Sequence, residues 1–263
     1  MSSLYKKCGD RRMKRYQKIL NLKVFNVDDV NELTKNVDTT KSLIRNLLLK
    51  GYIKRVKHNL YVICDVISKN TIPDQYMIAS RIKDDAYVSY HSALEYYGVK
   101  NQVFYEVYVS TSKRFTNFEF EGISYKYVNS VHNFGINQVN NAIRITDKER
   151  TFIDCINRSD LAGGNEELIM CLELLGKLDG EKVLEYLKKY NSNKLYIKVG
   201  FFLELYREHY GIEKEIIEKC RNKCKEKKLF FNEETKRMES KYIKEWNLTV
   251  PKIFINKGEG LYW

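Results

Sequence analysis

The spacing of apolar residues divides the chain into three regions. Up to about residue 63, apolar residues recur every three or four positions in three short segments and then alternate in two strands. Residues 72–160 mix short helical segments with strands, and the pattern over residues 161–263 is mainly helical. We therefore predict an α+β protein with one domain over residues 1–66 and a larger one over residues 72–263. The larger domain is expected to combine a small, mostly antiparallel sheet with a helical C-terminal half.

The first domain is predicted to contain three helices. A helix over residues 12–23 is followed by a second one with Asn26 as its N-cap, because Asp29 then falls in the first turn and complements the helix dipole. A third helix is expected to begin with Asp38 as its cap and to end before Gly51, a residue typical of helix C-termini.

The third helix has two faces of opposite character. At 100° per residue, one side is apolar and is expected to be buried; it comprises Leu43, Ile44, Leu47 and Leu48. The opposite side presents Ser42, Arg45 and Asn46, with Thr39 and Lys41 on its flanks. Arginine can donate two hydrogen bonds to guanine, and asparagine can pair in the same way with adenine. This face is therefore a candidate for reading base edges in duplex DNA.

A short hairpin is predicted directly after the third helix. Its strands are Tyr52–Val56 and Leu60–Ile63, and Asn59 occupies a turn position where a left-handed backbone is expected. Two helices followed by a basic hairpin are typical of a winged helix-turn-helix. We expect the DNA backbone to be contacted mainly from this wing, by Lys54, Arg55, Lys57, His58 and Asn59.

Positive charge is concentrated in the same domain. Residues 1–62 hold fifteen Lys/Arg against five Asp/Glu, whereas the formal charge of the whole chain is +12, so the rest of the chain is close to neutral. A lysine-rich composition raises the charge everywhere and does not explain a surplus at one end. The distribution favours a polyanion, most simply duplex DNA, over a role in binding other proteins.

The larger domain is predicted to contain a sheet followed by helices. Strands are expected over residues 103–110, Phe118–Phe120, Ile123–Val128 and Asn141–Thr146, and Asp147 then begins a helix. The helical segments are Gln75–Lys83, Glu166–Leu178, Gly180–Tyr190, Leu195–Tyr210 and Ile212–Lys228. Residues 246–263 are expected to be extended.

No constellation typical of catalysis is found in the sequence. There is no P-loop, GxSxG or GxGxxG motif, and no two of the four histidines have metal-ligand spacing. Cys220 and Cys224 lie four apart but lack a second pair, so we expect reduced thiols and neither a metal nor a cofactor. With no apolar run long enough for a membrane span and no signal-peptide pattern, we expect a cytoplasmic protein that is not an enzyme.

Three stretches resemble a known family. The sequences of Tyr87–Gly98 (YVSYHSALEYYG) and Ile145–Gly164 (ITDKERTFIDCINRSDLAGG) are similar to the two signature stretches of the AbiEi antitoxins. Lys198–Glu204 (KVGFFLE) resembles a third segment of that family, R-L-G-Y-L-L-E, with Lys198 in place of the usual arginine. The similarity covers nearly the whole chain, and Thr146–Gly164 is its most specific part.

The resemblance implies a transcriptional autoregulator that is also the antitoxin of an abortive-infection system. Its winged helix would bind inverted repeats in its own promoter, and its C-terminal domain would counteract a nucleotidyltransferase-type toxin, usually without a stable complex. The family supplies no catalytic residue. His91, Arg150 and Asp154 carry over only as motif positions; Arg150 and Asp154 lie four apart on one helix face, where they can pair with each other. His91 is expected to have a packing or capping role.

Two alternatives remain open from the residues themselves. One is a winged-helix transcription factor whose C-terminal domain senses a small ligand and has no antitoxin role. The other is an enzyme that the winged helix directs to nucleic acid, although no set of acids, histidines or metal ligands is in view for it.

Overall fold

The computed structural model describes residues 17–224 and 228–258. The fold is α+β, as predicted, with small sheets in which antiparallel pairs predominate and with helices packed against them. No helix within the described ranges combines the length and the apolar character needed to cross a membrane.

The N-terminal unit packs its helices against a three-stranded sheet. Its helices are α1 (residues 17–22), α2 (Val27–Thr34) and α3 (Val37–Leu49), and its strands are β1 (Val24–Phe25), β2 (Ile53–Lys57) and β3 (Leu60–Ile63). The strands are all antiparallel in the order β1-β3-β2. Its core contains Ile19, Phe25, Val30, Ile44, Leu47, Ile53, Tyr61 and Ile63. The N-terminal part of the predicted first helix, residues 12–16, lies outside the described residues.

The middle of the chain forms a mixed six-stranded sheet with the order β6-β7-β5-β4-β9-β8. The strands are β4 (Tyr87–Val88), β5 (Glu106–Thr111), β6 (Phe118–Phe120), β7 (Ile123–Asn129), β8 (Ile136–Val139) and β9 (Ile143–Thr146). The pairs β5–β7 and β4–β9 are parallel, and the other three are antiparallel. Helices α4 (Gln75–Ser80) and α5 (His91–Tyr96) flank the sheet.

The helical part follows directly from the last strands. Its helices are α6 (Lys148–Asn157), α7 (Gly164–Leu174), α8 (Gly180–Tyr190), α9 (Asn193–Leu205), α10 (Arg207–Tyr210) and α11 (Lys214–Arg221). They enclose the largest apolar core of the described chain, in which Phe152, Leu172, Leu187 and Phe202 are fully buried. Helix α11 is shorter than the predicted helix Ile212–Lys228, because it begins at Lys214 and ends at Arg221.

The C-terminal part forms a third sheet and a short helix, although residues 246–263 were predicted to be extended. Strands β10 (Leu229–Phe230), β11 (Ser240–Ile243) and β12 (Leu248–Pro251) pair in the order β10-β12-β11, and α12 (Ile253–Gly258) follows. Trp246 is fully buried against α9, where a Cβ on Gly200 would lie only 2.4 Å from its ring. The glycine of the KVGFFLE segment is thus required for close packing of this tryptophan.

The N-terminal unit shares a core with the six-stranded sheet. One face of the β2–β3 hairpin contributes Val56, Leu60 and Val62 to an apolar cluster that also contains Ile78 and Val109. Arg81 of the segment after α4 also pairs with Asp29 of α2, with 2.6 Å between Nη2 and Oδ2. The segment between the two predicted domains therefore connects two parts that pack tightly on each other.

Candidate nucleic-acid interface

The turn between α2 and α3 is fixed by two helix caps and a buried hydroxyl pair. Asn26 and Asp29 form a capping box at the start of α2, each side chain accepting from the other's backbone N–H at 2.9 and 2.7 Å. The cap of α3 is Asn36, which accepts from Thr39 N at 2.8 Å, so the prediction of Asp38 as this cap is wrong. Between the helices, Thr34 and Thr40 share a hydrogen bond.

These caps hold α3 with its apolar face inward and its polar face outward. Ile44 and Leu47 are buried in the N-terminal core, and Leu43 and Leu48 pack partly against it. The five residues of α3 predicted to contact DNA are all exposed: Thr39, Lys41, Ser42, Arg45 and Asn46. Within residues 17–224 and 228–258 none of their side chains makes a hydrogen bond or ion pair. Leu49, at the C-terminal end of the same stripe, is 76% exposed.

The hairpin presents only part of its predicted contact set to solvent. Arg55 and His58 are exposed and make no side-chain contact with another described residue. Lys54 instead pairs with Glu121, in the turn between β6 and β7, and this pairing raises the pKa of the lysine. Lys57 lies over the rings of Phe115 and Phe118, with its Nζ 5.0 and 4.9 Å from their centroids. The two lysines therefore bind the neighbouring sheet.

A β-bulge explains the placement of Lys57. Strand alternation puts Lys57 on the same side as Arg55, but the register between β2 and β3 shifts between these two residues. Lys57 consequently pairs with Leu60 and shares the face of the hairpin that is packed on the six-stranded sheet. Burial there lowers the pKa of Lys57, and the charge of Lys83 adds to the effect.

Asn59 has the predicted left-handed backbone, and its side chain bonds within the protein. Its φ is 59°, in the left-handed region, as expected for this turn position. Its Oδ1 accepts a hydrogen bond of 2.9 Å from the backbone N–H of Val27, the first residue of α2. The side-chain oxygen thus ties the hairpin turn to the start of α2.

About half of the basic surplus lies on the described part of the N-terminal unit. Residues 17–63 carry nine Lys/Arg and four Asp/Glu, and the other six Lys/Arg of this end fall in residues 1–16, outside the described ranges. Outside α3 and the hairpin, Lys18, Lys23 and Lys35 are also exposed. The described part of the N-terminal unit therefore carries exposed positive charge, with a formal surplus of five.

The motif positions Arg150 and Asp154 lie far from this surface and are engaged with each other. Arg150 Nε donates to Asp154 Oδ2 at 2.8 Å, as their spacing predicted, and both side chains are buried. Arg150 also donates to the backbone oxygen of Phe134 at 2.6 Å and to the Tyr87 hydroxyl at 3.3 Å, and Tyr190 donates to Asp154. Burial alone would lower the pKa of Arg150, but the Asp154 carboxylate raises it, so the guanidinium stays charged and joins sheet, α6 and α8.

His91 belongs to a second buried cluster, centred on Glu167. Glu167 Oε1 accepts from the backbone N–H groups of Asn101 and Gln102, both at 3.0 Å, and contacts His91 Nε2 at 3.1 Å. It also accepts from the Cys171 thiol at 3.4 Å. Burial would raise the pKa of Glu167, but these hydrogen bonds hold it below its usual value.

This cluster also has the composition of a metal site, with ligand atoms of His91, Glu167 and Cys171 within 4.8 Å of one another. The atoms are already joined by hydrogen bonds, and burial beside Glu167 raises the pKa of Cys171 to about 12, which keeps the thiol protonated. We interpret the group as a carboxylate anchor. Gly163 belongs to it, because a Cβ there would lie 2.8 Å from Glu167 Cγ.

Glu167 and Tyr190 bond to the motif residues but are not among the site residues predicted from the sequence. In the sequence, Leu168, Cys171 and Leu172 follow Glu167 at positions one, four and five residues later. This spacing indicates that Glu167 lies on the apolar side of α7 and is buried. Nothing local pairs Tyr190 with Asp154, which is 36 residues away.

Comparison with known proteins shows a shared fold. The chain is similar to the crystal structure of the RV2827C protein from Mycobacterium tuberculosis, with a TM-score of 0.62 and 14% sequence identity over 90% of this chain and 89% of that one. No protein-family model and no curated protein matches the sequence.

Proposed function

We propose that the N-terminal unit is a winged helix-turn-helix that binds duplex DNA, with α3 as the helix that enters the major groove. One observation carries this proposal: the outward face of α3 is a row of exposed polar side chains without partners among the described residues. Because these side chains are exposed to solvent, leaving their hydrogen-bond donors unpaired does not destabilise the fold. The donors are therefore available to bond with base edges. Arg45 and Asn46 are then base readers, Lys41 and Ser42 flank them, and Thr39 contacts the backbone.

Phosphate contacts are assigned to Arg55 and His58 of the hairpin. Lys54 and Lys57 are engaged with the protein and are therefore removed from the set proposed to touch DNA. Asn59 stays in that set through its side-chain amide group, because only its oxygen is bonded within the protein. Because the hairpin is packed on the six-stranded sheet, the wing is held in a fixed position relative to α3. A rigid wing fixes the register of the recognition helix in the groove.

We further propose that the protein regulates its own operon and is the antitoxin of an AbiEi-type abortive-infection system. The support for this part is the resemblance of Tyr87–Gly98, Ile145–Gly164 and Lys198–Glu204 to that family. In this protein, residues of the three stretches form internal contacts: Arg150 with Asp154, His91 with Glu167, and Gly200 with Trp246. The proposed partners are inverted repeats in the promoter and a nucleotidyltransferase-type toxin.

One variant tests the DNA-binding role and the antitoxin role separately. Full-length protein and Arg45→Ala are compared for repression of a reporter under the chain's own upstream region and for rescue of cells expressing the neighbouring nucleotidyltransferase. We expect Arg45→Ala to lose repression and to keep rescue, since the antitoxin role is assigned to residues 72–263. The exposed Lys214→Ala on α11 is the matched control and should retain both. Repression by Arg45→Ala at the wild-type level contradicts the DNA-binding assignment, and absence of rescue by the wild type contradicts the antitoxin assignment.

A second candidate is a ligand-sensing regulator without an antitoxin role. The observation that favours it is a cavity in the helical part of the chain. In that case an operator-binding assay responds to the ligand, and co-expression with a toxin gives no rescue.

A further inference from the structure

A cavity of about 550 Å³ opens between the helical part and the C-terminal sheet. Its walls come from the end of α6 with the turn that follows, from the first half of α9, and from residues 228–236 around β10. A volume of this size is within the range that holds small organic ligands. None of the DNA-binding residues proposed above lines it.

Two lysines of α9 face this cavity one helical turn apart. Lys194 is exposed and Lys198 is half-buried, and neither forms an ion pair with a carboxylate anywhere in residues 17–224 and 228–258. Like charges at this spacing repel each other on a helix. Burial lowers the pKa of Lys198, and the charge of Lys194 lowers it further.

The acidic residues of the rim are already engaged elsewhere. Asp160 receives two hydrogen bonds from Arg158, at 2.8 and 2.6 Å. Glu233 pairs with Lys236 at 2.7 Å, and Glu234 accepts from Asn165 at 3.2 Å. Among the described lining residues, Lys194, Lys198 and Lys228 have no carboxylate partner, and Glu234 has no cationic partner. Unpaired lysines therefore outnumber unpaired carboxylates, and an anion placed between Lys194 and Lys198 reduces their repulsion.

Two aromatic rings lie beside the lysine pair. Phe231 is fully buried, and Lys198 Nζ lies 5.2 Å from its ring centroid. Phe230, the next residue, lines the cavity with 41% of its surface exposed. Lys236 Nζ lies 5.9 Å from the centroid of the Phe230 ring. The cavity therefore offers an exposed ring for stacking with a flat group, and the lysines of α9 for binding phosphate.

We propose that this cavity binds a nucleoside phosphate, with its phosphates between Lys194 and Lys198 and its base stacked on Phe230. Lysine acts on phosphate as a point charge, so the two ammonium groups suit a chain of phosphates better than a single planar group. The site does not depend on DNA binding, because it is built from other elements.

Binding to the full-length protein is measured by calorimetry in the absence of DNA, with ATP, GTP, adenosine and inorganic triphosphate as probes. We expect Lys198→Gln to weaken ATP or GTP binding by at least about tenfold and Lys198→Arg to retain most of it. Phe230→Ala should weaken nucleotide binding and leave triphosphate binding unchanged. The matched control Lys214→Gln removes the same charge from an exposed site on α11 and should bind as the wild type does.

The outcomes decide between three accounts. Nucleotide binding that Lys198→Gln weakens and that exceeds triphosphate binding supports the proposal. Equal binding of triphosphate and nucleotide overturns the role of Phe230 and leaves an anion site only. No binding of ATP or GTP by the folded wild type, or equal binding by wild type and Lys198→Gln, overturns the site itself.

Discussion

Helices α3 and α6 carry similar polar residues but use them in opposite ways. On α3, Arg45 and its polar neighbours are exposed and have no partners among the described residues. On α6, Arg150 is buried and its guanidinium is bonded to Asp154, Phe134 and Tyr87. An arginine with hydrogen bonds from Nε, Nη1 and Nη2 to buried groups holds the fold together, whereas one without hydrogen bonds to the protein is available to a ligand. We therefore expect Arg150 to stabilise the fold and Arg45 to bind a ligand.

The largest effect is expected from Arg150. Arg150→Met leaves the Asp154 carboxylate buried beside Tyr190 without its cation, and breaking a buried pair in this way costs about 3–5 kcal/mol. The free energy of unfolding in urea measures it. A variant that unfolds like the wild type but has lost a specific activity would show that Arg150 acts in function and not in architecture.

A smaller loss is expected from Glu167→Gln. The amide cannot accept hydrogen bonds from Asn101, Gln102 and His91 as strongly as the carboxylate, which costs about 2–3 kcal/mol near neutral pH. Since the pKa of Glu167 is lowered in the folded state, its contribution is present above the unfolded pKa of about 4.3 and is lost as pH falls through the folded value. Wild type and variant should therefore converge in stability under strongly acidic conditions. A stability difference that does not depend on pH would contradict the role of the charge.

Arg45→Ala is expected to change recognition without changing stability. It should cost ~1–3 kcal/mol in binding to the operator and relax specificity at one base pair. Its free energy of unfolding should stay within about 0.5 kcal/mol of the wild type, because the side chain is exposed and makes no contact with a described residue. Operator binding to a set of single-base variants measures the first effect, and urea unfolding measures the second.

The smallest effects distinguish Arg55 from Lys57. Arg55→Ala should reduce the salt dependence of DNA binding by about one phosphate contact. Lys57→Ala should leave that dependence unchanged and lower stability by about 0.5–1 kcal/mol, through loss of its contacts with Phe115 and Phe118. The slope of log affinity against log salt is the measurement. A reduced slope for Lys57→Ala would mean that this lysine leaves the rings to contact DNA.

Much of the fold is predictable where the pattern is local. Helix α8 has the predicted bounds Gly180–Tyr190, because its apolar residues lie on one face and Asp179 caps it. The polar face of α3 is likewise where helical periodicity puts it. The predicted strands Phe118–Phe120 and Ile123–Val128 leave Glu121 and Gly122 for the turn between β6 and β7, and both residues have positive φ. These features depend on neighbours within a few residues.

The remaining features depend on long-range contacts. Strand β8 was missed because Asn137 and Gln138 are exposed on an edge strand and give no apolar alternation. The C-terminal sheet joins β10 to β12 in parallel, a pairing that no local pattern indicates. The contacts of Lys57 depend on a bulge and on Phe115 and Phe118, which are distant in sequence. The cavity beside the lysine pair depends on the packing of β10 near α9, which the sequence does not indicate.

The most direct test of the recognition role of α3 is a specificity ratio. The affinity of the wild type and of Arg45→Ala is measured for the region upstream of the gene and for random duplex of equal length, at low and at physiological salt. Non-specific binding falls steeply with salt, so the account predicts a strong preference of the wild type for its upstream region that persists at physiological salt. It also predicts that Arg45→Ala loses much of this preference while binding random duplex nearly as well as the wild type. Equal affinity of the wild type for both duplexes would contradict sequence recognition by α3.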